Sequence, residues 1–305
     1  MLWAEEGIRK ETALEQLEEN GKPVHLPAIC QTLFDVNLPD SVLVDCTSGG
    51  EVIPFYESLL LHNVAVVTPN KIANSGIMAF YNQLRNAALK GNTRFLYETN
   101  VGAGLPIIQT LKNLIHSGDR IDRIEAMLSG TLSFIFNTFH SGVSFRSVVE
   151  EAKQLGYTEP DPRDDLSGKD MARKILILAR ESGLSMEPEE VETQNILPQT
   201  CVEAEGVSAF LESLDAENEY FHQLALDAEA AGRKLKFICK LENGKVGIRL
   251  EAIGPDHPFW NSSGADNILA FYTAQYTQRP MVIQGPGAGA EVTAAGVFGD
   301  LISLA

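Results

Sequence analysis

Three short apolar runs, at 42–46, 64–68 and 95–97, alternate with segments of helical pattern at 51–61 and 76–90. That alternation predicts an α/β arrangement with a parallel sheet, since parallel neighbours are joined by crossover helices. Each run ends in polar or glycine-rich sequence: Thr47-Ser48-Gly49-Gly50, Pro69-Asn70-Lys71 and Glu98-Thr99-Asn100-Val101-Gly102. Ligands of open parallel sheets lie outside the carboxyl ends of the strands, so three such ends on one edge imply a shared crevice. Thr47, Ser48, Asn70 and Lys71 are its candidate lining.

From about residue 106 the pattern changes. A helix is expected at 105–117, a strand at 120–128, and helices at 132–140, 144–155 and 168–183. An acidic helical stretch at 207–232 precedes two apolar runs, 234–242 and 245–252, that flank Asn243-Gly244, a strong two-residue hairpin signal. These runs should join an antiparallel sheet. A strand at 281–284, a glycine-rich turn and a helix at 292–304 are expected to return to the first region. The domain reading is therefore 1–105, completed by 281–305, and a second unit at 106–280.

The densest chemistry lies in Gly156–Lys174, where five acids and a lysine occupy one loop and one helical turn. Pro160 and Pro162 keep the loop out of a helix, and Ser167 with Asp170 resembles a capping signal. Beyond it, Lys174 lies about 40° from Asp170 on a helical projection, flanked by Ile177 and Leu178 and continued by Met171, Ile175, Leu176 and Ala179. Only Arg173 and Arg180 face water in that projection. A solvated pair at this spacing contributes about 0.3–0.5 kcal/mol and nothing more. Beside an apolar face, however, the pair loses water, its pKa values shift, and the lysine becomes able to donate a proton near neutral pH.

Composition narrows the class. The 24 Lys and Arg face 41 Asp and Glu, and a net charge of −17 repels nucleic acid and anionic membrane surfaces. Cys30, Cys46, Cys201 and Cys239 have no paired spacing, which fits a reducing cytoplasm. The acidic, helical start has neither the basic head nor the apolar core of a secretory leader.

The run Gly156–Lys174 resembles the signature segment of homoserine dehydrogenase. Val-Asp-Cys-Thr-Ser at 44–48, Thr-Pro-Asn-Lys at 68–71, Val-Gly-Ala-Gly-Leu-Pro at 101–106, Leu-Ser-Gly-Thr-Leu-Ser at 128–133 and the glycine-rich tail from Gly285 come in that family's order. The resemblance implies reversible reduction of aspartate 4-semialdehyde to homoserine with NAD or NADP. It implies Lys174 as proton donor with Asp170 orienting it, and Lys71 as an alternative donor or oxyanion partner. It further implies Glu159 and Asp165 for the substrate ammonium, and Gly130, Thr131 and Tyr157 lining the pocket. Gly289 would approach the cofactor beside Thr47, Ser48, Asn70 and Lys71. A structural sodium would sit on Glu98, Val101, Ala103 and Leu105, whose plain alternative is a tight turn permitted by Gly102 and Gly104. A homodimer through the hairpin region is expected, and fusion to an aspartokinase is compatible with the resemblance.

One part of the family pattern matches no residue here. A dinucleotide domain opens with a strand and a Gly-x-Gly-x-x-Gly turn that cradles the pyrophosphate, then an acid for the ribose. The first residues resemble instead the family's segment beyond its second strand, so a truncated Rossmann-type domain joined to an α+β catalytic and dimerisation domain is expected. Gly285, Gly287 and Gly289 either replace part of that contact or allow close packing of strand and helix. Two other readings compete. Glu159, Asp161, Asp164 and Asp165 could serve a divalent-metal hydrolase, or the chain could be a non-catalytic remnant.

Overall fold

The computed structural model describes every residue except Glu5 and Asn37. Two small amphipathic helices, α1 (Ala13–Asn20) and α2 (Leu26–Val36), lead into β1 (Val42–Val44). Next come α3 (Tyr56–Leu61), β2 (Ala65–Val67), the single-turn α4 (Ile72–Ser75), α5 (Met78–Lys90) and β3 (Phe95–Leu96). The strands form a parallel sheet in the order β1-β2-β3, with Val42 opposite Ala65 and Val67 opposite Leu96. The all-apolar β2 is buried throughout, as a central parallel strand covered by helices must be. Consequently Thr47, Ser48, Asn70, Lys71 and Glu98 emerge at one edge.

The second unit runs through α6 (Ile107–His116), β4 (Ile121–Met127), α7 (Gly130–Thr138), α8 (Phe145–Gln154), α9 (Pro162–Leu166) and α10 (Lys169–Glu181). It continues with β5 (Glu192–Thr193), α11 (Gln199–Val202), α12 (Gly206–Ala216), α13 (Asn218–Ala230), β6 (Lys234–Glu242), β7 (Lys245–Ile253), β8 (Asn267–Thr273), β9 (Met281–Gly285) and α14 (Ala290–Ile302). Its sheet has the order β5-β7-β6-β4-β8-β9, antiparallel except for β5 against β7. Asn243 and Gly244 both take positive φ, 52° and 73°, the turn that an Asn-Gly pair favours.

Two expectations need correcting here. The strand Met281–Gly285 pairs with β8 of the second sheet, and only α14 packs back onto the first unit, against β2 and residues 98–100. Strand pairing decides this, since Asn267 to Phe271 of β8 lie opposite Gly285 to Met281, while Met281 and Ile283 pack on the core that the two units share. The helix after the acidic loop is capped by Gly168 at φ 70°, not by Ser167, whose hydroxyl donates to the Asp164 carbonyl at 2.6 Å. A left-handed residue between α9 and α10 suits glycine, and a Cβ there would meet Thr193 and Phe237 at 3.2 and 3.3 Å.

α10 is the keystone of the molecule. One buried apolar cluster takes in Tyr56, Leu59 and Val66 of the first unit and Ile124, Ile175, Leu178 and Phe237 of the second. Within it α10 lies against β6 and β7 on one side and α4 and α6 on the other. Met171, Ile175, Leu176, Ile177, Leu178 and Ala179 are all buried, as its apolar pattern requires. The projection fails at Arg180, which is 3% exposed instead of facing water.

Candidate active site

The loop Gly156–Pro160, α9 and the start of α10 form one wall of a cleft of about 840 Å³. Gly130 and Thr131 at the start of α7 line it as well, together with Ala265, Asp266 and the segment Pro286–Gly289. α7 begins there because Ser129 caps it, its side chain accepting from Leu132 N at 3.2 Å. Of the residues singled out in the sequence, Gly130, Thr131, Tyr157, Glu159, Asp165, Asp170, Lys174 and Gly289 all line this cleft.

Asp170 stands between two lysines. Lys174 Nζ lies 2.8 Å from Asp170 Oδ2, and Lys71 Nζ lies 3.5 Å from Oδ1. The spacing of one helical turn produces the first contact. The second crosses from the β2 edge of the first unit to α10 of the second, and no local pattern encodes it. Lys174 is buried and also donates to the Leu128 carbonyl at 2.6 Å. Burial pushes the Asp170 carboxyl up, but the Lys174 and Lys71 charges outweigh it and the pKa ends below the ordinary aspartate value. Burial lowers the Lys71 pKa, and Asp170 restores only part of that shift. A carboxylate half open to water thus holds one enclosed ammonium and a second that gives up its proton more readily than a free lysine.

Around the acidic loop, the carboxylates divide. Asp165 Oδ1 lies 2.9 Å from Thr131 Oγ1, and its Oδ2 accepts from Glu159 N at 2.8 Å. Thr131 Oγ1 also donates to the Tyr157 carbonyl. Burial raises the Asp165 pKa despite those hydrogen bonds. Asp165 therefore holds the loop's shape, while the Glu159 side chain is exposed on the cleft with no protein hydrogen-bond donor among the described residues. Tyr157 packs its ring 5.1 Å from that of Phe134. Asp161 caps α9 and is gripped by Arg163, with Nη2 to Oδ2 at 2.6 Å, so its charge is neutralised where it stands. Among the described residues no group of three or more His, Cys, Asp or Glu is placed to hold a metal, so Glu159, Asp161, Asp164 and Asp165 are not brought together as one ligand set.

At the strand edge, Thr47 and Ser48 are exposed. Asn70 is buried and already employed: Nδ2 donates to the Gly49 carbonyl at 2.7 Å and Oδ1 accepts from Ile72 N at 3.1 Å. It ties the loop at Gly49 to the turn into α4. Gly287 packs closely, since a Cβ there would fall 2.0 Å from Asn267 Cγ. Gly289 is different: at φ 120° it has only Val292 Cγ2, at 3.7 Å, near the place of a Cβ. The φ of Gly289, not crowding, is what favours glycine there.

The carboxylate of Glu98 accepts from Ile108 N at 2.7 Å and Gln109 N at 2.8 Å, satisfying open amides at the start of α6. The Leu105 carbonyl accepts from Ile107 N at 2.8 Å, and Ala103 takes φ 52°. Val101 is fully buried in the same turn. Sequence reasoning missed Ala265 and Asp266 in the cleft wall, which arrive from a loop with no motif of its own, and gave no role to Pro286 within the glycine-rich tail. It also missed the Leu128 carbonyl that receives Lys174.

Comparison with known proteins gives the chain a family. Residues 106–302 match the family model described as homoserine dehydrogenase, and residues 7–98 match its NAD binding domain. The chain is 45% identical over its whole length to bifunctional aspartokinase/homoserine dehydrogenase 1 of Arabidopsis thaliana, covering 34% of that protein. It spans about a third of the length of such bifunctional relatives. It is 39% identical to the homoserine dehydrogenase of Emericella nidulans, over 87% of this chain and 75% of that one. Among solved structures, a protein of unknown function from Candida auris superposes with a TM-score of 0.89 at 36% identity, covering 96% of this chain and 84% of that one. A hyperthermophilic archaeal homoserine dehydrogenase in complex with NADPH superposes with a TM-score of 0.69 at 28% identity, over 96% of this chain and 82% of that chain. The first unit thus matches the family's NAD-binding domain, the second its homoserine dehydrogenase model, and the chain belongs to the homoserine dehydrogenase family.

Proposed function

We propose that this chain interconverts L-aspartate 4-semialdehyde and L-homoserine with NAD or NADP. The observation that carries the reading is the Lys71–Asp170–Lys174 arrangement, which joins the strand edge of one unit to the cleft of the other. Domain limits of 1–105 with the closing helix, and 106–280 with β9, suit that division of labour.

Thr47, Ser48, Lys71 and Gly289 are the residues suited to the nicotinamide end of the dinucleotide, with Asn70 holding the crevice in shape. When bound, a reduced nicotinamide supplies the hydride. Lys174 Nζ, enclosed and held by Asp170 and the Leu128 carbonyl, donates the proton to the forming alkoxide and takes it back in the reverse direction. Lys71, with its pKa lowered by burial, sits across Asp170 as the partner that stabilises the oxyanion. Glu159 receives the substrate ammonium, and Asp165, Thr131, Gly130 and Tyr157 keep its loop in place. Lys169 and Arg173 supply positive charge on the same wall for the substrate carboxylate.

Glu159→Gln should raise the Michaelis constant for homoserine roughly tenfold or more, the loss of one charge-assisted contact, with little change in turnover. Steady-state kinetics that leave the constant where it was would remove Glu159 from the ammonium. The structural sodium remains part of the reading at Glu98, Val101, Ala103 and Leu105, with Glu98 also closing the start of α6. Replacing sodium by choline should then lower the thermal midpoint, and an unchanged midpoint would discard the ion. We place a homodimer contact on the sheet around the β6–β7 hairpin, to be tested by sedimentation, where a single-chain mass would contradict it. The cytoplasmic setting and an attached aspartokinase belong to the same proposal; no described helix is long and apolar enough to cross a membrane.

A further inference from the structure

Arg180 ends the helix that begins with the Asp170–Lys174 pair, and its side chain is fully enclosed. Its guanidinium donates from Nη1 to the Asn74 carbonyl at 2.8 Å and from Nη2 to the Gly76 carbonyl at 2.7 Å. Nε and Nη2 both reach the Met186 carbonyl, at 3.1 and 2.8 Å. Glu187 Oε2 lies 3.8 Å from Nη2 and accepts from Met78 N at 2.9 Å. Asn74 and Gly76 belong to α4 and its end, and α4 is the turn that Lys71 caps. Ser75 Oγ donates back to the Lys71 carbonyl at 2.9 Å.

The same turn is tied from its other side. Asn74 Nδ2 donates to Asn100 Oδ1 at 2.8 Å, and Asn100 Nδ2 donates to the Thr68 carbonyl at 3.0 Å, at the exit of β2. Thr68, Asn74 and Asn100 are almost wholly buried. A buried polar chain therefore runs from the crevice of the first unit, through the turn carrying Lys71, to the helix carrying Asp170 and Lys174. Next to Arg180, Glu181 binds Arg85 Nη2 at 2.8 Å and lies 3.4 Å from Lys112 Nζ, anchoring the same helix end to α5 and α6.

We infer that Arg180 is a positioning residue for the reaction, a clamp across the two units that sets the distance from Lys71 to Asp170 and Lys174. The inference rests on the homoserine dehydrogenase reading of the site. A planar fork that spans three carbonyls fixes direction as well as distance, which a lysine ammonium in its place cannot reproduce. Arg180 touches no substrate, so its effect is exerted through Lys71.

The test is steady-state homoserine oxidation across a range of pH by the whole chain and by Arg180→Lys, with unfolding midpoints and hydrogen exchange of residues 72–78 measured on both. Misplacing Lys71 by an ångström should lower kcat roughly 10²-fold. KM should change far less, and the lysine-dependent limb of the pH profile should move, because Lys71 gains water. Exchange in 72–78 should quicken. An Arg180→Lys protein that is folded, with kcat and pH profile like the parent, overturns the inference. If Arg180→Lys does not fold, Glu187→Gln decides: it loosens the same guanidinium from the surface, and a smaller fall in kcat with the same pH displacement supports the clamp, whereas parental kinetics overturn it. A parent silent with both dinucleotides would fault the functional reading instead. The clamp itself would then be judged by exchange in 72–78, which must quicken in the variant or the inference falls.

Discussion

Lys174→Ala should lower turnover in both directions by roughly 10²–10⁴-fold, the span that a positioned proton donor contributes. The fold should survive, since the substitution removes an ammonium whose contacts are the Leu128 carbonyl and Asp170 and leaves the apolar face of α10 untouched. KM should move little, because Glu159 and the α7 turn remain. Kinetics on a variant with a parental unfolding midpoint make the measurement. Near-parental turnover would transfer proton donation to Lys71, and a matching Lys71→Ala variant would then be the inactive one.

Asp170→Asn is the second large effect. The substitution leaves two ammoniums beside each other without their common counter-charge, so each favours its neutral form. Turnover should fall roughly 10²-fold or more, and the basic limb of semialdehyde reduction, which needs a protonated lysine, should shift to lower pH. Stability carries a second signature. The folded pKa of Asp170 is depressed, so its contribution is present above the ordinary aspartate pKa of about 3.9 and is lost as pH falls through the lower folded value. The parent should therefore be more stable than Asp170→Asn at neutral pH, with the gap closing in acid below about pH 4. Because the Asp170 side chain is half exposed, solvent limits that gap to the small values of open ion pairs. A stability gap that widens in acid would reverse the assigned sign of the Asp170 shift.

Local chemistry carried much of this fold. The Asn243-Gly244 turn, the apolar runs of β1 to β3 and the buried stripe of α10 are each decided by residues a few positions apart, so periodicity reads them. The contact of Asp170 with Lys174 in the candidate site was legible for the same reason: their spacing is a helical turn. What escaped was set by partners distant in the chain. Arg180 looked solvated because its own helix offers it nothing, while two of the three carbonyls that enclose it come from residues 74 and 76, more than a hundred positions earlier, and the third from Met186 beyond the helix end. Ser167 matched a capping pattern, yet the sharp join of α9 to α10 demanded left-handed backbone, and Gly168 was free to supply it. β9 went to the second sheet because its pairing partner β8 lies there, a long-range match that its short apolar run could not announce. The contact between Lys71 and Asp170 needed both units folded together before it existed at all.

The most direct test of the central claim is homoserine-dependent reduction of NADP and of NAD by the folded chain at high dinucleotide concentration, monitored by the near-ultraviolet absorbance of the reduced nicotinamide, with Lys174→Ala alongside. Reduction should saturate with homoserine and collapse in the variant. A folded protein that reduces neither dinucleotide, or that reduces them as well without Lys174, would contradict the claim.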